Sequence, residues 1–177
     1  SSAAMASLRA LLGVVLCSLM VSASEILPQA DFDLQIAGKW YLTGMCSNSK
    51  WFVCRKASIK SGTVTLEPNE DGGFKASCSF PTDNCWKIDV VASKTDVPGK
   101  FTYRVATEIR VVDEKPDEYS LNHYINTGWN ETYVENNLYG CSVDLSADVQ
   151  EKFRQFSLQT DFLPENIFIL PKSGTVM

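Results

Sequence analysis

Phe74-Lys75-Ala76-Ser77-Cys78-Ser79-Phe80, then Pro81-Thr82-Asp83-Asn84, then Trp86-Lys87-Ile88-Asp89-Val90 is the stretch that decides the fold. Apolar and polar residues alternate in both runs. A period of two buries one face of a strand and wets the other. The polar, Pro-containing segment between the runs turns the chain back on itself.

The same grammar extends in both directions. Upstream, Ala37 to Met45 is strand-like and rich in Trp, Tyr and Leu. Ala57 to Leu66 reads as a second strand before the turn Pro68-Asn69-Glu70-Asp71-Gly72-Gly73. Downstream, Asp96-Val97-Pro98-Gly99 turns the chain into Phe101, Tyr103 and Val105, and Glu108 to Val112 follows. After the polar run Asp113 to Asp117, residues Tyr119, Leu121, His123 and Ile125 share one strand face, and Thr132 to Cys141 is the last of eight strands. The period then changes. Leu145, Val149, Phe153 and Phe156 recur at helical spacing, with Asp144 or Ser146 as N-cap, and Pro164 ends the segment before a short strand at Ile167 to Leu170. Short strands with frequent turns make a sandwich or a barrel. The expected class is all-β: an eight-stranded up-and-down antiparallel β-barrel with one C-terminal α-helix and a short final strand. Such a barrel has an interior that can hold one small ligand.

Composition bounds the function. A chain of 177 residues, 45% hydrophobic, is one domain or two small ones and is not wholesale disordered. Sixteen basic against twenty-one acidic residues give a net charge of -5, which argues against a nucleic-acid groove. His123 is the one histidine, so multi-histidine metal sites are excluded, and neither metal nor cofactor is expected. Residues 1–23 read as a short leader and a secretory signal peptide: Met5 as start, Arg9 as positive charge, the apolar run Ala10 to Met20, and Val21-Ser22-Ala23 at the cleavage site. An eleven-residue run is too short to span ~30 Å of hydrocarbon. The expectation is therefore an extracellular protein without stable membrane insertion, with residues 24–177 as its domain. Cleavage would leave a net charge of -6 and five cysteines, one of them unpaired in an oxidising space.

Phe32-Asp33-Leu34 followed by Gly38-Lys39-Trp40-Tyr41 resembles the opening signature of lipocalins. Gly44 to Trp51 resembles the first lid loop of lipocalin-type prostaglandin D synthases, and Gly99-Lys100-Phe101 and Asp117-Glu118-Tyr119 resemble alpha-1-microglobulin. Leu138-Tyr139-Gly140, Glu151-Lys152-Phe153 and Pro164 through Pro171 match the last strand, helix and tail of that group, which includes the gamma chain of the eighth complement component. The resemblance implies a ligand-carrying calyx, with Gly38 and Trp40 at its closed end and Met45, Cys46 and Trp51 at its lid. It also exposes departures. Gly62 stands where the synthases carry a nucleophilic cysteine, so isomerase activity is not expected. Cys141 stands where an arginine usually covers the tryptophan of the signature, and the usual partner of Cys85 maps near Val176.

Candidate calyx residues follow from the alternating faces: Phe74, Ala76, Cys78 and Phe80; Trp86, Ile88 and Val90; Tyr103; and Tyr119, Leu121 and His123. Patterning fixes which residues share a face, not which face looks inward. The expected ligand is a small hydrophobic molecule of the retinoid, fatty acid, steroid, bile pigment or prostanoid class. Cys46 with Cys54, and Cys78 with Cys85, are candidate disulfides, which would leave Cys141 as a free thiol able to bridge to a partner protein. Asn130-Glu131-Thr132 is a glycosylation sequon.

Overall fold

The computed structural model describes residues 25–32, 37–81, 86–104, 106–128 and 130–172, with Trp86 described by its backbone alone. The signal peptide read at 1–23, Asp33 and Leu34, Cys85, and Val176 lie outside the described residues.

Eight strands form the barrel: β1 (Gly38–Ser47), β2 (Thr63–Pro68), β3 (Phe74–Phe80), β4 (Trp86–Lys94), β5 (Lys100–Tyr103), β6 (Thr107–Lys115), β7 (Tyr119–Thr127) and β8 (Thr132–Gly140). Each pairs antiparallel with the next, and β1 pairs with both β8 and β2, which closes the sheet. Closure leaves no barrel edge to template aggregation. A six-residue helix α1 (Lys50–Arg55) follows β1, and a longer helix α2 (Ala147–Gln159) follows β8. A short strand β9 (Ile167–Ile169) ends the described fold. Pairing of β1 with β2 runs from Gly38 to Tyr41; higher up, β9 takes the place of β2 along Gly44 to Cys46. No helix among the described residues is long and apolar enough to cross a membrane.

Local chemistry sets these elements. Gly38 starts β1 at φ +117°, a left-handed value that favours glycine. Ser146 caps α2, its Oγ accepting from the Val149 amide at 3.3 Å. Ser49 caps α1 in the same way, accepting from the Phe52 amide at 3.2 Å.

Apolar burial is split into layers. Inside the base, Trp40, Val64, Phe74, Ala76, Phe101 and Ile109 form one cluster. Outside the barrel, α2 lays Val149 and Phe153 onto Cys46, Tyr119, Leu121 and Leu138. Gly44 permits that approach, because a Cβ there would lie 3.0 Å from the Phe153 ring. The segment before β1 covers the base. Gln29 donates its amide to the Val111 carbonyl at 2.7 Å, and the Phe32 ring meets Phe101 edge-on at 5.8 Å.

Three segments differ from the sequence reading. Residues 57–62 are not strand; α1 and a 3-10 turn (Lys56–Ser58) precede β2. β1 runs to Ser47, so Met45 and Cys46 are strand residues rather than lid residues. β6 runs through Lys115 by means of a register shift between Val111 and Asp113, and the polar turn shrinks to a tight bend with Asp117 at φ 58°.

Phe153 is fully buried between α2 and the barrel. Phe153→Ala is expected to cost about 3–5 kcal/mol, read from urea unfolding of the two proteins. A loss below about 1 kcal/mol would show that α2 is not fastened through this ring.

Candidate ligand-binding site

The barrel encloses a cavity of about 600 Å³, floored by Trp40 and reached from the end where α1 sits. One wall is apolar. β1 contributes Trp40, Leu42 and Met45; β2 contributes Val64 and Leu66; β3 and β4 contribute Phe74, Ala76, Cys78, Phe80, Ile88 and Val90. These side chains meet as cross-strand neighbours, with Val64 opposite Cys78, Cys78 opposite Ile88, and Ala76 opposite Val90. Tyr103 joins them from β5. The sequence reading named seven of these residues: Phe74, Ala76, Cys78, Phe80, Ile88, Val90 and Tyr103. The side chain of Trp86, an eighth candidate, lies outside the described residues.

Tyr119, Leu121 and His123 do not line the cavity; this corrects the sequence reading. They are buried on the opposite face of β7, beneath α2. The reason is that α2 covers this part of the barrel from outside, so the apolar face of β7 turns toward the helix. The inward face is polar. Ser120 sits opposite Tyr139, Asn122 opposite Asn137, Tyr124 opposite Glu135, and Asn126 opposite Tyr133. Sequence reasoning missed these eight residues. The signal was present: a chain-terminal amphipathic helix needs an apolar strand face outside the barrel to cover.

The polar wall is knitted together. Asn137 Nδ2 donates to Glu135 Oε1 at 2.6 Å and to the Tyr139 hydroxyl at 3.3 Å. The hydroxyls of Tyr124 and Tyr139 lie 3.1 Å apart, and Ser120 Oγ donates to Asn122 Oδ1 at 3.0 Å. Burial raises the Glu135 carboxyl to about 7, opposed by the Asn137 hydrogen bond. Burial also pushes the Tyr124 and Tyr139 hydroxyls up, so both stay neutral at physiological pH.

Behind this wall, a second polar group fastens α2. Cys46 Sγ donates to Ser157 Oγ at 3.2 Å, and Asn136 Nδ2 donates to Ser157 Oγ at 3.3 Å and to Thr160 Oγ1 at 2.9 Å. His123 Nδ1 donates to Asn136 Oδ1 at 2.6 Å, and burial holds the imidazole below its ordinary value, hence neutral. His123 is thus a hydrogen-bonded residue of the barrel–helix joint.

The thiols also depart from the expected pairing. Cys46, Cys54, Cys78 and Cys141 are free. Cys46 cannot reach Cys54, because it points under α2 while Cys54 lies exposed on α1 at the mouth. Cys78 faces the cavity, and its expected partner Cys85 lies outside the described residues. Burial pushes the Cys46 thiol up to about 12 and the Cys78 thiol up to about 11, which makes both poor nucleophiles. Cys141 is exposed, just after β8.

Gly62 lies just before β2, where the synthase resemblance asks for a cysteine. A Cβ there would lie 2.5 Å from Phe80 Cδ1 and 2.9 Å from the Ser79 carbonyl oxygen. The ring of Phe80 fills the space that a nucleophilic side chain would need. At the mouth, Trp51 lines the entrance with Arg55, Lys60 and Glu131, while Met45 lies deeper on β1, opposite Asn137. Asn130 is exposed in the loop between β7 and β8 at the same end. Among the described residues, no group of three His, Cys, Asp or Glu could hold a metal ion.

Comparisons with known proteins agree with this geometry. Residues 37–174 match the model of the lipocalin / cytosolic fatty-acid binding protein family. The chain is 35% identical over 178 aligned residues to a lipocalin of Rhinella marina, covering 93% of this chain and 97% of that one. It is 30% identical to a prostaglandin-H2 D-isomerase of Mus musculus, covering 76% and 75% of the two chains, and 28% identical to human Lipocalin-15, covering 92% of each. A solved structure of the siderocalin Ex-FABP superposes with a TM-score of 0.73 at 23% identity, covering 79% of this chain and 96% of that chain. Barrel closure, outside helix and sequence match together establish that this chain belongs to the lipocalin family.

Proposed function

We propose that this protein is an extracellular carrier that takes up a small, mostly apolar molecule in its calyx. The observation that carries the reading is the closed-base cavity of about 600 Å³ with its apolar β1–β4 wall. Burying ~300 Å² of apolar ligand surface there is worth roughly 7 kcal/mol at ~25 cal/mol per Å². The calyx wall buries a comparable apolar area of its own, and the entropy of association offsets part of the combined gain, which leaves affinities around micromolar. The floor and the mouth each carry a tryptophan, Trp40 and Trp51, so occupancy is optically visible. Titration with a retinoid, a fatty acid, a steroid, a bile pigment and a prostanoid is expected to quench tryptophan fluorescence for at least one of them at micromolar levels or tighter. Silence across all five would sink the carrier reading.

Isomerase chemistry is disfavoured. Gly62 supplies no thiol, the Phe80 ring blocks the position, and the nearest cysteine in sequence, Cys54, sits exposed on α1. The expected result is no turnover of prostaglandin H2 by the native chain. Gly62→Cys is expected to lower the thermal midpoint by several degrees through overpacking of about 1–3 kcal/mol, without conferring activity. Turnover by the native chain, lost in Cys54→Ser, would overturn this view.

Secretion and N-glycosylation fit the exposed Asn130, which is reachable by the glycosylation machinery. The exposed thiols of Cys54 and Cys141 suit a bridge to a partner protein. Material collected from a secreting cell is expected to lose mass on enzymatic N-deglycosylation and to run as a heavier species without reductant. Identical migration under all these conditions would remove both modifications.

A further inference from the structure

We propose that the polar β7–β8 wall of the calyx is a head-group subsite for a cationic amphiphile. Glu135, with Asn137 beside it, takes the protonated amine of a ligand whose apolar body lies against β1–β4. This rests on the carrier reading and narrows its ligand.

The cavity is divided lengthwise. Its β1–β4 side offers hydrocarbon and aromatic rings, while the β7–β8 side presents cross-strand pairs of hydroxyl, amide and carboxyl groups. A wholly apolar ligand would strip water from those groups and return nothing, at the cost of unsatisfied buried polar atoms. The ligand must therefore carry a polar end, and the wall specifies its sense. Glu135 Oε1 holds one hydrogen bond, from Asn137. Asn137 is buried, and its Oδ1 has no hydrogen-bond partner. Of the paired hydroxyls of Tyr124 and Tyr139, one donates to the other, and Tyr139 also accepts from Asn137 Nδ2. The Glu135 carboxylate and the Asn137 Oδ1 beside it are acceptors that the side-chain donors of the wall, among the described residues, do not fill.

Charge separates the candidates further. Four ionisable acidic or basic side chains of Asp, Glu, Lys or Arg type line the cavity among the described residues: Arg55, Lys60, Glu131 and Glu135. Both cations are exposed on the lid segment. Glu131 is also at the mouth, where its Oε1 accepts from the Lys50 amide at 2.9 Å. Glu135 stands below them, opposite Tyr124 on β7 and Ser47 on β1. A carboxylate ligand at that height would meet Glu135 with no cation beside it. An alcohol would bring one donor. An ammonium brings three donors and a complementary charge.

The proton competes with such a ligand. Burial brings the Glu135 carboxyl to about 7. The groups that feel its charge are Tyr124, Tyr133 and Tyr139 within the calyx and Cys46 on the far face of the sheet. Burial pushes all four upward, so they stay neutral across the same range. Acidification through 7 therefore neutralises Glu135 alone in this set, and an ammonium loses its counter-charge as pH falls.

The test uses dodecylamine, dodecanol and dodecanoate, which share one body and differ in the head, each below its aggregation concentration. Competition against a hydrophobic fluorescent probe in the calyx reads the three affinities. At about pH 8 the amine is expected to bind about tenfold tighter than the alcohol or the acid. That gap should shrink toward about pH 6, as the carboxylate takes its proton. Glu135→Gln should abolish the preference for the amine, with its urea midpoint measured as the folding control. If that variant does not fold, the pH dependence of the native protein still decides. Tightest binding by dodecanoate, or an amine preference that survives Glu135→Gln or ignores pH, would overturn the proposal and leave the carrier reading standing. Failure of all three to displace a bound probe would overturn the head-group proposal while the probe itself reports a working calyx. Failure of the probe and all three to bind would sink the carrier reading as well.

Discussion

The docking of α2 on the outside of the barrel decides what the inside is made of. Side chains alternate with a period of two along a strand, so burying one face of β7 and β8 under a helix commits the other face to the calyx. Leu121 and Leu138 pack against Val149 and Phe153 outside, and their neighbours Asn122 and Asn137 face one another inside. A slip of one residue would drop the polar ladder under the helix and put the leucines into the cavity. The ordered joint of His123, Asn136, Ser157, Thr160 and Cys46 guards against that slip, since its hydrogen bonds are satisfied in one register only.

The barrel was legible where its two faces differ plainly. Phe74 through Phe80 and Trp86 through Val90 alternate apolar with polar in sequence, and among the described residues no helix covers this part of the sheet from outside, so Phe74, Ala76, Cys78, Phe80, Ile88 and Val90 turn inward. The C-terminal helix was legible for a related reason: its apolar spacing is helical and Ser146 supplies the cap. On β7 the more apolar face is the outer one, and the presumption that apolar means inward fails, because there are two places to bury apolar groups. Alternation is a statement about one strand. Which side of the sheet carries the second core is a statement about a helix some twenty or more residues away, and no local pattern contains it.

The lid shows a different kind of illegibility. Residues 50–58 carry no clean period, and their helical turns depend on tertiary support. Ser49 caps α1, while Phe52 sinks fully into a cluster with Leu42, Met45 and Leu170. Isolated helices this short are marginal in water, so packing rather than propensity holds this one. The cysteines were misread for a similar reason. Cys46 and Cys54 are eight positions apart, a spacing that suits a loop staple, yet the strand continues through Cys46 and aims it at Ser157.

These supports also limit how the mouth can work. Lifting α1 away would expose the Phe52 side chain, at a cost of roughly 1.5–3 kcal/mol. It would also break the contacts of Lys56 Nζ with the Glu165 carbonyl at 2.7 Å and Asn166 Oδ1 at 2.6 Å, which tie the lid segment to the turn before β9. Trp51, by contrast, is 54% exposed and rotates without disturbing that cluster. Entry past Trp51, with α1 in place, is therefore the less costly route. It leads a ligand between an exposed indole and the side chains of Arg55 and Lys60 before it reaches the divided interior. A cationic head would pass Arg55, Lys60 and the carboxylate of Glu131 at that rim and then meet Glu135, which among the described residues is the one carboxylate lining the cavity below the mouth.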